Sequence, residues 1–235
     1  MKLHTLRRTT GVAATVLALS LGLAACGSED DEPTSGSDDT SSETSDSADE
    51  MSGEDGGTTE EAMAGAAAQT FGEGCAAVPT SGAGSFDGMV NDPVATAASN
   101  NPLLSTLVSA VGAVDGLGDT LNSQEALTVF APYNDAFAAI PEKDLNALVE
   151  GGMQDGQDST LYKVLAHHVL PTNADPDAVT GDQDTLAGDQ LTVEGDPESG
   201  MTVSDGTVTA NVLCGNVPTA NATVYVIDTV LSGVK

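Results

Sequence analysis

From Gly27 to about Gly65 the chain offers almost nothing to bury. Ser, Thr, Gly, Asp and Glu dominate this segment, which holds 14 of the 36 acidic residues and none of the six Lys and Arg. Such a composition does not offset the entropy of ordering, so no packed structure is expected there. Repulsion among the carboxylates extends it beyond a neutral Gly/Ser coil, for which about 40 residues at 5–6 Å × √n span roughly 35 Å. No glycine-turn ligand loop gathers these carboxylates into a cation site, which leaves residues 26–70 as a solvated acidic tether. The fold must come from the remaining residues, 71–235, which carry neither an internal repeat nor a second linker and are expected to form one domain.

Charge narrows the functions open to that domain. A net charge of −30 repels polyanions, so nucleic acid and anionic lipid headgroups are excluded as electrostatic partners. With 3% aromatic residues and no Trp, a base-stacking platform or a Trp-centred interface is also disfavoured.

The N-terminus has a different character. Lys2, Arg7 and Arg8 precede an uncharged run from Gly11 to Leu23. As a helix those 13 residues rise only about 20 Å, short of a hydrocarbon core of about 30 Å, so residues 1–25 read as a signal peptide rather than a permanent span. The Arg7-Arg8 pair also raises a twin-arginine export reading. The run ends in Leu23-Ala24-Ala25-Cys26, which resembles the lipobox of bacterial lipoproteins. That resemblance implies cleavage before Cys26 and a diacylglycerol on its thiol. The competing reading is ordinary cleavage near Ala25 and release. Each buried methylene contributes about 0.8 kcal/mol, so one acyl chain holds marginally and two or three hold firmly.

Once Cys26 is assigned to lipid, Cys75 and Cys214 remain as a pair in an exported chain, and a disulfide is the expected outcome. Two thiols are too few for a structural zinc site, and neither lies in a CxxC pair.

The first half of residues 71–235 has helical periodicity. Asn101 is placed to cap, Pro102 suits the first helical position, and Leu104, Leu107, Val108 and Val111 share a face. Further helices are expected near Asn134, after Pro141 with Leu145, Leu148 and Val149 inward, and from Ser159 with Leu161, Val164, Leu165 and His168 on one face. After Pro171, β-rich runs separated by Gly-Asp and Asp-Gly predict hairpin strands at 190–194, 201–204, 207–212 and 223–228. Helices mainly in the first half and antiparallel strands in the second make an α+β fold, not a doubly wound nucleotide fold.

Two segments carry a resemblance. Leu127-Thr128-Val129-Phe130-Ala131-Pro132-Tyr133-Asn134-Asp135-Ala136-Phe137 is similar to the first signature box of the fasciclin domain, with Thr128, Phe130, Ala131, Pro132, Asn134, Ala136 and Phe137 at the motif positions. Asn221 to Leu231 resembles the family's C-terminal box, with Asn221, Val226, Ile227, Asp228 and Leu231 in place. The run from Asp92 to Pro102 further resembles the bacterial surface-antigen branch, which includes secreted and lipid-anchored antigens of the mycobacterial type. Both boxes read as determinants of the fold. Val129 is expected to be buried, Pro132 to end its strand, and Asn134 or Asp135 to cap the following helix. In the second box Val224 and Val226 alternate with Thr223, Tyr225 and Ile227, as in a strand covered on both faces, and Asp228 is expected to be hydrogen-bonded.

Between the boxes the family usually has a Tyr-His pair, and this chain has His167-His168. His168 matches the family histidine and reads as a core residue with its ring nitrogens satisfied locally. His167 takes the tyrosine's place, and adjacent helix positions make a poor metal chelate. No GxSxG elbow, HExxH helix or other catalytic motif is present, and the paired acids read as solvated loop charges. Asn221-Ala222-Thr223 forms a glycosylation sequon, discounted because it lies inside the second box.

The resemblance implies a non-enzymatic protein, without cofactor or metal, anchored by lipid at the extracytoplasmic face of the cell membrane. Its partner would be an extracellular protein or glycan, and its role adhesion. The alternative is a carrier of a small ligand or envelope lipid, using a cleft between helices and sheet. Cys26→Ala is expected to abolish incorporation of labelled palmitate and to release the chain from the membrane fraction, both measured after metabolic labelling.

Overall fold

The computed structural model describes residues 65–234. The expected signal peptide, Cys26 and the acidic segment up to residue 64 lie outside the described residues. Residues ahead of the expected start at Phe71 already pack on the domain. Ala66–Gln69 form a 3-10 turn whose Ala66 N–H donates to Asp87 (3.0 Å), while the Gln69 carbonyl accepts from Asn216 (2.9 Å). Phe71 then bridges Gly215 through hydrogen bonds in both directions, 3.2 and 2.8 Å. Its ring lies over the glycine so closely that a Cβ there would sit 2.2 Å from Phe71 Cζ, so a side chain at position 215 would displace the ring.

The helices are α1 (Phe86–Met89), α2 (Val94–Asn100), α3 (Ser105–Gly112), α4 (Leu117–Ser123), α5 (Asn134–Ala138), α6 (Glu142–Asp155), α7 (Thr160–His167) and α8 (Pro176–Val179). Asn101 accepts from the Leu103 N–H at 3.0 Å and Pro102 follows it, so the chain enters as a 3-10 turn, Pro102–Leu104, that runs on into α3. Ser159 caps α7 by accepting from the Tyr162 N–H at 3.0 Å. α7 stops at His167, one residue short of the expected apolar face, and His168 is its C-cap. Among the described residues no helix is long and apolar enough to cross a membrane.

The strands are β1 (Leu127–Pro132), β2 (Val169–Leu170), β3 (Gly181–Asp184), β4 (Gln190–Asp196), β5 (Gly200–Ser204), β6 (Thr209–Pro218) and β7 (Ala222–Ile227), in the order β2-β1-β7-β6-β5-β4-β3. Helices mostly precede strands, so the fold is α+β. From β3 through β7 the pairing is antiparallel, as the hairpin pattern predicts. β1 and β7 pair in parallel from Leu127↔Ala222 to Pro132↔Ile227, which local pattern does not reveal. β6 runs past the expected end at Val212 because two register shifts, at 212/214 and 214/217, let it leave β5 and continue along β7.

Two apolar cores flank the sheet. Leu127, Val129, Ala131, Val224 and Val226 face a core shared with the helices. Phe130, Tyr225 and Ile227 face a second one with Leu191, Val193, Met201 and Val203 from β4 and β5, so the far end of the sheet closes over the reverse face of its centre. β1 and β7 are buried along their whole length as a result.

The Cys75–Cys214 disulfide ties the N-terminal turn Glu73–Ala77 to β6, with Cα atoms 4.8 Å apart across a sequence separation of 139. Closing a loop of that length restricts the unfolded chain strongly. Replacing both residues with Ser is expected to lower stability by up to about 5 kcal/mol in urea unfolding under oxidising conditions.

Candidate functional site

The motif side chains do their hydrogen bonding inside the domain. Thr128 Oγ1 donates to the Thr172 carbonyl (2.7 Å) and accepts from the Ala174 N–H (2.9 Å), which fastens the loop after β2 to β1. The rings of Phe130 and Tyr225 pack at a tilt of 35° with centroids 5.7 Å apart, and the Tyr225 hydroxyl donates to the Ala174 carbonyl at 3.0 Å. Burial, with some help from Asp175, pushes that phenol's pKa well up. Ala131 is buried, and Pro132 ends β1, as its missing donor predicts. Ala136 and Phe137 on α5 are buried in the helix-side core.

Asn134 departs from its expected role. The N-cap of its own helix is Tyr133, and no side chain caps it. Asn134 Oδ1 instead accepts from the Thr106 N–H (3.0 Å) and the Ser105 hydroxyl (3.2 Å), and its Nδ2 donates to the Pro102 carbonyl (2.8 Å). The first turn of α3 lies within its reach, and orphan N–H groups there take the side chain. Asn221 does similar work at the other end of the β1–β7 pair. It accepts from the Val94 N–H (2.9 Å) and donates to the carbonyls of Leu121 (2.9 Å) and Gln124 (2.8 Å), joining the start of α2 to the end of α4.

Asp228 lies just beyond β7 and accepts from the Asn211 backbone (2.9 Å), the Asn211 amide (2.6 Å) and the Thr229 hydroxyl (2.9 Å). Desolvation alone would raise its pKa, but these donors outweigh it and hold the carboxyl below its ordinary value. Val226 and Ile227 face opposite cores, and Leu231 is fully buried.

The two histidines have separate tasks. His168 Nδ1 donates to the Val164 carbonyl (2.7 Å), and Nε2 accepts from the Leu231 N–H (3.0 Å). That pair of partners selects the neutral ring, since a proton on Nε2 would confront another donor. Burial, aided by the neighbouring His167, lowers its pKa from 6.5 to about 4 against the opposing pull of the Val164 carbonyl and Asp205.

His167 is buried too, its ring nearly perpendicular to that of His168 at 86° and 6.1 Å. Its Nδ1 bonds Asp189 at 2.7 Å, and Nε2 lies 3.8 Å from Asp205. Thr185 donates to the same Asp189 oxygen. Asp205 accepts instead from the N–H groups of Thr207, Val208 and Gly233, each at 2.7 Å, and His167 Nε2 and Asp189 Oδ2 are buried without a hydrogen-bond partner among the described residues. For both aspartates, desolvation raises the pKa but is outweighed: by Thr185 and His167 at Asp189, and by three N–H groups at Asp205. Among the described residues no cluster of His, Cys, Asp or Glu is arranged to hold a metal ion.

An apolar cleft lies between the helices and β1. Ala98 of α2, Val111 of α3, Leu121 of α4, Val129 of β1 and Leu165 of α7 form its walls. Thr120, Gln124, Tyr162 and the exposed Leu186 supply the rest of the rim, and His168 reaches its floor. About 810 Å³ of non-atom space lies in and in front of it, open solvent included.

The family model described as Fasciclin domain matches residues 102–233. The chain belongs to the fasciclin-domain family. Over 180 residues it is 42% identical to the cell surface glycolipoprotein MPT83 of Mycobacterium tuberculosis, covering 74% of this chain and 76% of that protein. The immunogenic protein MPB70 of Mycobacterium bovis is 43% identical over 173 residues, 71% of this chain and 83% of the relative. Protein sll1483 of Synechocystis is 36% identical over 137 residues, 57% and 69% respectively. The fasciclin match begins at Pro102, so Cys75, α1 and α2 precede it.

Asp189 and Asp205 as partners of His167 were not legible in the sequence. They stand in Gly188-Asp189 and Asp205-Gly206, pairs that read as turn punctuation, and only the folded chain brings those turns to α7. The acids of the paired runs remain on the surface, where Asp175 caps α8 and Asp196 closes its own turn. The pH dependence of stability tests the His168 geometry. An unfolded chain binds a proton at His168 near 6.5 and the folded chain only near 4. The His168 contribution is therefore complete above about 6.5 and is lost as pH falls toward about 4, by on the order of 3 kcal/mol. Urea unfolding across that window is expected to show this slope in the parent and to lack it in His168→Gln.

Proposed function

We propose that this chain is a surface protein, lipid-anchored through Cys26, that presents one fasciclin domain outside the cytoplasmic membrane as a non-enzymatic binding module in adhesion. The observation that carries this reading is the internal use of the family's polar motif residues. Thr128, Asn134, His168 and Asn221 meet backbone partners within the domain. With those groups committed to the scaffold, recognition falls to the exterior. MPT83 is named a cell surface glycolipoprotein and MPB70 an immunogenic protein, which supports a surface location for this relative. An acidic tether at the base of the domain would hold it clear of the envelope and raise its local concentration there. Given the net charge of −30, the partner is a protein or glycan with a neutral or cationic face.

The cleft favours a second reading, in which the same module carries a small apolar ligand or an envelope lipid. The leading proposal is tested in two steps. Protease treatment of intact cells is expected to remove the domain while the cytosol stays free of it; a cytosolic pool would overturn the location. Purified protein is expected to bind immobilised envelope or matrix fractions saturably, with competition by unlabelled protein. Absence of saturable binding across protein and glycan fractions would overturn the adhesion role.

A further inference from the structure

The cleft between helices and sheet has a chemistry that selects among apolar ligands. We infer that it takes an uncharged, single-chain lipid such as a long-chain alcohol or acyl ester, an inference that rests on the carrier reading and names its ligand. Three observations support this. The walls are built from Ala, Val and Leu, and the aromatic rings reaching the space are Phe130 and Tyr162, so helices and sheet meet without filling it. A dry apolar cavity is the kind that accepts hydrocarbon.

The second observation is charge. Among the described residues no Lys, Arg, Asp or Glu lines the cleft, and its histidine, His168, is held neutral by its two partners. Lys143 and Lys163 are the basic residues among those described, and neither lines it. A carboxylate or phosphate headgroup would find no counter-charge there and would face an acidic domain, whereas a hydroxyl or ester finds Thr120, Gln124 and Tyr162 at the rim. The third observation is Leu186. It and Met153 are the large exposed apolar side chains among the described residues, and Leu186 alone borders the cleft. The turn that carries it is tied down by the Leu186 N–H to Val169 carbonyl bond at 2.8 Å, so its side chain extends the apolar wall outward.

The test uses the full chain carrying Cys26→Ala, so that no acyl group of its own competes, with the neutral fluorophore N-phenyl-1-naphthylamine as probe. Saturable enhancement of fluorescence is expected, with 1-dodecanol displacing the probe at least about tenfold more effectively than dodecanoate at neutral pH. Val111→Trp, which fills the cleft, and Leu186→Asp, which charges its rim without touching the core, are each expected to weaken probe binding by a similar factor with unchanged melting temperature. Equal displacement by dodecanoate would overturn the selectivity for uncharged ligands and leave the carrier reading standing. Absence of probe binding, or binding indifferent to both substitutions, would overturn the site itself. The carrier reading then falls separately if native mass spectrometry of protein from its own host shows no bound lipid. Concentration-dependent dimerisation abolished by Leu186→Asp would assign the cleft to a second copy and also overturn the inference.

Discussion

The parallel pairing of β1 with β7 is the contact on which the rest of the domain hangs. It lays the two family boxes side by side over six residue pairs and buries both strands on both faces. Helices collect against one face and the curled end of the sheet against the other, because these central strands are apolar toward each side. A polar side chain at each end of the pair fastens a helix to it: Asn134 holds the start of α3, and Asn221 joins α2 to α4. The family's most recognisable residues are thus joints between layers.

The adjacent histidines illustrate how neighbouring positions divide such labour. His168 meets α7 and the C-terminal segment with one nitrogen each. His167 faces two hairpin turns, those of Asp189 and Asp205, and Asp205 accepts from the Gly233 N–H. His167 has its Nδ1 bonded to Asp189, while its buried Nε2 has no hydrogen-bond partner among the described residues and lies 3.8 Å from Asp205. Both histidines therefore bear on the same final stretch of chain by different routes.

Much of this was legible locally. Helix starts at Asn101 and Ser159, the strand alternation around Val224, and the end of β1 at Pro132 all follow from spacing and cap chemistry. What could not be read was pairing over long separations. The parallel partner of β1, the extension of β6 through its two bulges, and the reach of Asn134 to α3 depend on which elements meet. The cleft was foreseen as a place between layers, but its walls and the position of Leu186 come only from packing. Acids in Gly-Asp and Asp-Gly pairs carry the same local signal whether they are solvated or, like Asp205, buried.

The C-terminal strand also dictates the order of events during biogenesis. The middle of the sheet lacks its partner until Ala222–Ile227 is available, and Leu231 and Gly233 complete the bonds of His168 and Asp205 only after that. Non-local pairing of this kind makes folding wait for the end of the chain. A polypeptide emerging N-terminus first would stay open until its last residues arrive, leaving synthesis and closure of the domain as successive steps.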